Sequence, residues 1–163
     1  MRTGVVLDRK LELVLALLMP ANALIARTML ATGLRVSDVL ELKPEQIKPS
    51  MRVVERKTGK PRRVYLPPSL CEAILKQASR EWAFPSPCDP MKHRSRCTVW
   101  KDIKRAQRAC RFQTNLGTHS MRKAYAVKLM HRYGDIAKVQ KALQHERPEV
   151  TMLYALADKL SGA

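Results

Sequence analysis

Six side chains suited to phosphoryl-transfer chemistry occur in a fixed order along this 163-residue chain: Arg35, Lys57, His119, Arg122, His145 and Tyr154. Attack on a phosphodiester builds negative charge on the phosphate oxygens, and the planar forks of arginine are suited to clamp those oxygens. A tyrosine can serve as the attacking group and then hold the phosphate in a covalent link. The set therefore predicts that the chain breaks and reseals a phosphodiester without a metal ion or another cofactor.

Each residue type fits one step of that reaction. We expect Arg35 and Arg122 to bind the phosphate, because donors placed where charge develops are worth roughly 3–4 kcal/mol each. The phenol of Tyr154 has an ordinary pKa of about 10 and needs a proton acceptor. His119 lies one helical turn before Arg122, so both side chains would face the same way. Lys57 is suited to protonate the leaving 5′ oxygen.

Each of these residues also has an ordinary interpretation when it is taken alone. An arginine such as Arg35 is more often a surface residue, and Lys57 lies in a charged hairpin. His145 fits a helix end, and Tyr154 lies in an apolar helical run where tyrosines usually belong to the core. The catalytic interpretation depends on the patterns occurring together: TGLR-x-SD, K-x-x-K-x-R-x-V-x-L, TH-x-x-R, L-x-H and then the tyrosine.

Taken together, these patterns resemble the catalytic domain of the tyrosine recombinases, the phage-integrase family, from about Leu11 to Tyr154. The resemblance implies a mainly α fold with a small antiparallel β-sheet (α+β), the catalytic core of DNA breaking-rejoining enzymes. It also implies two phosphate-binding arginines, a general acid in a hairpin, a first histidine, a second histidine that supports the phosphate, and a nucleophile. These roles fall respectively on Arg35 and Arg122, Lys57, His119, His145 and Tyr154.

Three positions depart from the family pattern without removing a reacting group. Gln144 stands where a glycine usually precedes the second histidine, and Met121 stands where a leucine is usual. Asp38 replaces the glutamate usually found near the first arginine, and we expect it to support the site.

Composition indicates a nucleic-acid partner. The net charge of +17 favours a polyanion. Because only 5% of the residues are aromatic, contact with duplex phosphates is better supported than stacking on a single strand. We therefore expect double-stranded DNA as the partner, with no membrane contact, because no run approaches 18 apolar residues. The four cysteines form no CxxC pair, which predicts reduced thiols and no metal site in a cytoplasmic protein of a prokaryote or phage.

Periodicity and turn residues predict mostly helix with one hairpin. Asp8 and Ser37 are suited to cap helices, Gly33 and Gly134 to end them, and TGKP to form the hairpin turn. The predicted strands are 51–56 and 62–66. The predicted helices are 9–18, 21–31, a short one between Ser37 and Pro44, 69–80, 97–111, 118–132, 135–143 and a last one starting at Pro148.

Basic residues near these elements are candidates for DNA contact. In the helix predicted over 97–111, an apolar stripe of Val99, Ile103, Ala106 and Cys110 lies opposite a basic face, which could also be merely solvated. By resemblance, the start of this helix enters the major groove. The candidates are Arg62, Arg63, Arg94, Arg96, Lys101, Lys104, Arg105 and Lys123.

The sequence thus predicts a single catalytic domain over 1–163, without the N-terminal core-binding domain of most relatives, that acts as a site-specific recombinase through a 3′-phosphotyrosyl intermediate. The alternatives are DNA relaxation of the type IB topoisomerase kind and a non-catalytic DNA-binding regulator. The family implies a homotetramer on DNA, and the charge favours a monomer off DNA. An accessory DNA-bending or core-binding partner would complete the assembly.

Overall fold

The computed structural model describes residues 2–113 and 115–143, with side chains described from Arg9 onward. In this part of the chain, helices surround one small antiparallel sheet, so the predicted mainly α fold is confirmed. The elements are α1 (Arg2–Leu17), α2 (Pro20–Thr32), α3 (Val36–Leu40), a 3₁₀ turn (Pro44–Gln46), β1 (Ser50–Val54), β2 (Pro61–Tyr65), α4 (Pro68–Gln77), α5 (Arg96–Ala109), α6 (Thr118–Tyr133) and α7 (Ile136–Leu143).

Helix α2 is the central element of the fold. It packs against α1, α3, α4 and α6, and its inward side chains belong to the main hydrophobic core. Pro20 occupies its first position, where a missing N–H costs no helical hydrogen bond. Gly33 ends it with a left-handed φ of 67°, and its N–H donates to the Met29 carbonyl. As a result, the chain turns sharply just before Arg35.

The hairpin has one buried face and one exposed face. Its register pairs Met51 with Val64 and Val53 with Arg62, and both strands alternate between exposed and buried positions. The hydrogen bond from Glu55 N–H to the Lys60 carbonyl continues this pairing to the turn. The inward face therefore carries charged residues at its turn end and apolar residues farther along.

A buried carboxylate joins α5 to the junction of α1 and α2. Asp102 Oδ2 accepts hydrogen bonds of 2.8 Å from both the Met19 N–H and the Asn22 side-chain amide. Its Oδ1 accepts from two nitrogens of Arg105, which also donates to the Leu17 carbonyl at the end of α1. Burial alone would raise the pKa of Asp102, but the hydrogen bonds from Asn22, Met19 and Arg105 outweigh it, so the pKa is lowered.

Several predicted boundaries are wrong in instructive ways. Asp8 lies inside α1 and does not cap it, because Val5, Val6 and Leu7 extend the apolar pattern toward the N-terminus. Ser37 is the second residue of α3, whose cap is Arg35.

Other boundaries lie close to the predicted ones. Helix α4 ends at Gln77, three residues early, where Ala78 becomes extended. Gly134 ends α6 in a left-handed conformation as predicted. The helix predicted to start at Pro148 lies outside the described residues. No helix in the described part is both long and apolar enough to cross a membrane.

Candidate functional site

The corner between α2 and α3 places Arg35 at the edge of a cleft. Only Leu34 and Arg35 follow the left-handed Gly33 before α3 begins, and Arg35 is extended, with φ −71° and ψ 153°. Leu34 is fully buried and fixes the corner against the core. The Arg35 side chain keeps 19% of its surface exposed, so its guanidinium is anchored yet accessible. Arg35 therefore lies in the short corner between the two helices.

Helix α6 supplies the second arginine and a histidine. His119 and Arg122 are one turn apart near its start, and both line the cleft. The Arg122 side chain is 4% exposed, and its Nη1 donates to the Gly33 carbonyl at 2.6 Å. Its Nη2 donates to the Leu143 carbonyl at the end of α7. Arg122 therefore ties the ends of α2 and α7 together, while His119 remains exposed to solvent.

The cleft has a volume of about 440 Å³ and brings together three of the six predicted catalytic residues. Its lining comes from the α2–α3 corner, the first turns of α5 and the first turn of α6. The lining residues are Met29, Arg35, Val36, Ser37, Arg96, Cys97, Trp100, Thr118, His119 and Arg122. Three guanidiniums and an imidazole around an open volume can bind a phosphate and exchange a proton with a group bound to it.

Glu55, which the sequence interpretation did not select, lies behind the two arginines. Its side chain is fully buried, and its Oε2 accepts a hydrogen bond from Arg35 Nη1. Its Oε1 accepts from Arg62 Nη1 at 3.0 Å and lies 4.0 Å from Arg122 Nη1. One carboxylate thus faces three guanidiniums, which leaves an excess of positive charge next to the cleft.

Strand alternation was the signal that could have found Glu55. Met51 and Val53 point inward, and the next alternate position is Glu55. On the partner strand the same rule puts Arg62 on the face of Val64 and Leu66. The run ERKTGKPRR is so polar that it suggests a solvated turn, and the alternation continues into it nonetheless.

Lys57 lies in the hairpin turn and is exposed. It is not among the residues that line the cleft. The turn is held to α3 because the N–H of Arg56 donates to Asp38 Oδ1 at 3.0 Å. Asp38 is buried and is not among the residues that line the cleft. Through this hydrogen bond it fixes the backbone next to Lys57.

His145 and Tyr154, with the departure at Gln144, lie outside the described residues. Among the described residues, no three His, Cys, Asp or Glu side chains are close enough together to hold a metal ion.

The predicted DNA-contact residues divide by burial. Arg63, Arg96 and Lys101 are exposed, and Arg96 lines the cleft. Lys104 and Lys123 are half-buried, and Lys104 Nζ donates to Gln107 at 3.2 Å and to Asn115.

Three of the other candidates differ from a free surface arginine. Arg62 is buried and is bound to Glu55 and to the Thr32 carbonyl, so it belongs to the interior. Arg94 is also buried, and burial lowers the pKa of its guanidinium, although the charge of Asp102 acts in the opposite direction. Arg105 is exposed, but its guanidinium is bound to Asp102.

Comparison with known sequences places this arrangement in context. A sequence model described as the Phage integrase family matches residues 16–160. The chain is 32% identical over 134 residues to the probable integrase/recombinase YoeC of Bacillus subtilis, covering 78% of this chain and 73% of that protein. It is 32% identical over 157 residues to the integrase of Escherichia phage P2, covering 94% of this chain and 43% of that protein.

Among solved structures, the fold is similar to that of the XerH site-specific recombinase bound to a palindromic difH substrate in a post-cleavage complex. The TM-score is 0.73 with 20% identity, over 94% of this chain and 48% of that chain. The chain thus spans most of the Bacillus protein but less than half of the P2 integrase and of XerH.

Proposed function

Since this chain belongs to the phage integrase family, we propose that it is a site-specific recombinase that cuts and rejoins duplex DNA through a covalent link to Tyr154. The observation that carries the proposal is the convergence of Arg35, His119 and Arg122 on one open cleft. These residues come from two elements far apart in sequence. A surface that only binds DNA has no need for a nearly buried arginine held by backbone carbonyls.

The proposed reaction assigns one step to each group. The Tyr154 hydroxyl attacks the scissile phosphorus and loses its proton with the help of His119. The bond to the 5′ oxygen breaks, and Lys57 gives that oxygen a proton. A 3′-phosphotyrosyl link and a free 5′ hydroxyl result, and attack by a 5′ hydroxyl reverses the step.

Arg35 and Arg122 oppose the charge that develops on the phosphate oxygens, with His145 as a further donor. Arg122 is already fixed by the Gly33 and Leu143 carbonyls, so its guanidinium needs little reorganisation when the phosphate arrives. Asp38 supports the proton transfer from Lys57 by holding the backbone of the hairpin turn.

The proposed partner is double-stranded DNA, for which the charge of +17 is suited. The XerH recombinase, whose fold is similar to that of this chain, was solved in complex with its difH substrate. We further propose a tetramer on two DNA sites and a monomer off DNA, with a core-binding or DNA-bending protein as an additional partner. Neither similar sequence reported above is described as a topoisomerase or a regulator.

Covalent trapping tests the reaction. The protein is incubated with a nicked duplex of the DNA that flanks its own gene, so that the cleaved strand is lost and religation is prevented. A denaturing gel should then show a protein–DNA adduct for the parent chain and none for Tyr154→Phe.

Tyr133→Phe is the matched control, because Tyr133 is an exposed tyrosine at the end of α6 and remote from the proposed chemistry. It should form the adduct at the parental rate. An adduct with Tyr154→Phe would rule out the proposed nucleophile, and no adduct with the parent on DNA that it binds would contradict the activity.

A further inference from the structure

We propose that Glu55 is a positioning residue that holds the guanidinium of Arg35 at the cleft, ready for the scissile phosphate. The catalytic consequence rests on the function proposed above. The structural claim concerns only the DNA-free protein and can be tested without any cleavage.

Arg35 and Arg122 are held in the cleft by different contacts. Arg122 lies 4.0 Å from Glu55 Oε1, but it also donates to two backbone carbonyls, which anchor it independently of Glu55. Arg35 is the N-cap of α3, and its side-chain hydrogen bond among the described residues goes to Glu55 Oε2. The orientation of Arg35 thus depends on the carboxylate, whereas Arg122 has two backbone anchors besides it.

Glu55 is itself held rigidly enough to serve as an anchor. It is fully buried, its N–H donates to the Lys60 carbonyl, and its carbonyl accepts from the Gly59 N–H. Its second oxygen is bound by Arg62, which in turn donates to the Thr32 carbonyl at the end of α2. A buried carboxylate needs such a partner, because removing one from water without compensation costs several kcal/mol (~3–5).

Arg62 was expected to contact DNA, and in the structure its guanidinium is buried and bound to Glu55 and to the Thr32 carbonyl. Its positive charge offsets the negative charge of Glu55, so the cluster of Glu55 with the three arginines keeps a net positive charge that favours the phosphate. Without Glu55, three guanidiniums would lie together with no carboxylate between them, and Arg35 is the one with access to solvent.

The first test observes Arg35 directly in the DNA-free protein. The two terminal nitrogens of a held guanidinium give separate NMR signals, and free rotation merges them. Arg35 signals, identified by their loss in Arg35→Lys, should be separate in the parent and merged in Glu55→Gln. Glu41→Gln is the matched control, because it removes a carboxylate that pairs with exposed Arg56 on the same hairpin.

A second variant protects the test against misfolding. Glu55→Leu combined with Arg62→Met replaces the buried ion pair by apolar groups of similar volume, which proteins often tolerate. The Arg35 signals should merge here as well, while thermal unfolding remains cooperative. Separate Arg35 signals in this folded double variant would overturn the proposal.

The catalytic consequence is measured by single-turnover cleavage of the nicked duplex. Glu55→Gln should cleave at least about tenfold more slowly than Glu41→Gln, because an Arg35 guanidinium that is no longer held in place stabilises the transition state less well. Duplex binding should change by less than about threefold, since phosphate contacts elsewhere supply most of the affinity. Equal cleavage rates in the two variants would overturn the proposal.

Two further measurements separate positioning from a general loss of structure. In Arg35→Ala, adding Glu55→Gln should slow cleavage little further, because both changes remove one interaction. Replacing the scissile phosphate by a neutral methylphosphonate should reduce the cleavage rate of the parent by a much larger factor than it reduces the rate of the Glu55→Gln variant. If the parent does not cleave at all, the proposed function fails, and the NMR result still decides the role of Glu55.

Discussion

At the scale of single residues, Gly33 is linked to both Arg35 and Arg122. It lies two residues before Arg35, and its carbonyl accepts a hydrogen bond from Arg122. A Cβ atom built on Gly33 would lie 2.2 Å from Tyr125 Cδ1, and φ is 67°. Tyr125 Cε1 and Cγ also lie within 3.0 Å of that position, so the ring as a whole would have to move. We predict that Gly33→Ala lowers the free energy of unfolding by about 2–4 kcal/mol, from backbone strain and overpacking together. Denaturant titration measures this.

Gly59→Ala is the control for that prediction. Gly59 also has a positive φ of 63°, yet nothing lies within 4 Å of a Cβ built there. It should cost only the backbone term, about 1–2 kcal/mol. Equal losses in the two variants would show that the Tyr125 contact carries no energy.

Adjacent arginines in β2 provide a second prediction. Arg62 is buried against Glu55, whereas Arg63 points to solvent from the other face. Arg62→Gln should lower the free energy of unfolding by about 3 kcal/mol, because it breaks a buried pair. Arg63→Gln should change it by less than about 0.5 kcal/mol and should weaken DNA binding instead. Denaturant titration and filter binding together check both effects, and the reverse pattern would contradict the assigned burial.

The same pair of arginines shows how far residue type and charge alone can indicate position. Arg35, His119 and Arg122 were predicted because their residue types match the chemistry, and the structure brings them together. Arg62 was grouped with Arg63 because charge alone does not distinguish the two faces of a strand. Glu55 was missed because its neighbours are nearly all charged, although strict alternation puts it inside.

At the scale of elements, helix ends marked by glycine were predicted well. Gly33 and Gly134 are both left-handed and end α2 and α6. The start of α1 was not predicted. Asp8 has the type of a capping residue, but the apolar residues before it continue the helix. A capping side chain indicates a possible start, and an apolar pattern that continues before it argues against that start.

Helix α5 is attached to α1 and α2 through Asp102, and this attachment should depend on pH. The pKa of Asp102 is lowered in the folded protein. Its stabilising contribution is therefore fully present above the ordinary aspartate pKa of about 4, and it is lost as the pH falls through the lower folded value. We predict that Asp102→Asn removes this part of the acid dependence and lowers the free energy of unfolding at pH 7 by about 1–3 kcal/mol.

Thermal unfolding across acidic pH checks the Asp102 prediction. Glu72→Gln serves as the control, because Glu72 is exposed on α4. An acid dependence that is unchanged in Asp102→Asn would show that other carboxylates carry it.

At the scale of the whole molecule, the net charge of +17 should make duplex binding depend strongly on salt concentration. If about six phosphates are neutralised, the logarithm of the duplex association constant should fall with the logarithm of salt concentration at a slope near −5. Arg96→Gln, which removes a cation from the cleft edge, should reduce the magnitude of that slope by about one. Fluorescence anisotropy over a salt series gives both values, and a slope near zero would contradict binding through phosphates.

The end of α2 has a consequence for how such a protein diversifies. The carbonyls of Thr32 and Gly33 hold Arg62 from the hairpin and Arg122 from α6, so the interior frame of the cleft is fixed to one short stretch of backbone. The exposed residues of α5 and the outer face of β2 take no part in that frame. Site preference can therefore be exchanged on the surface while the chemistry stays constant. Selection for a new target sequence should collect its substitutions around Arg63, Arg96 and Lys101, and leave the residues bound to the end of α2 unchanged.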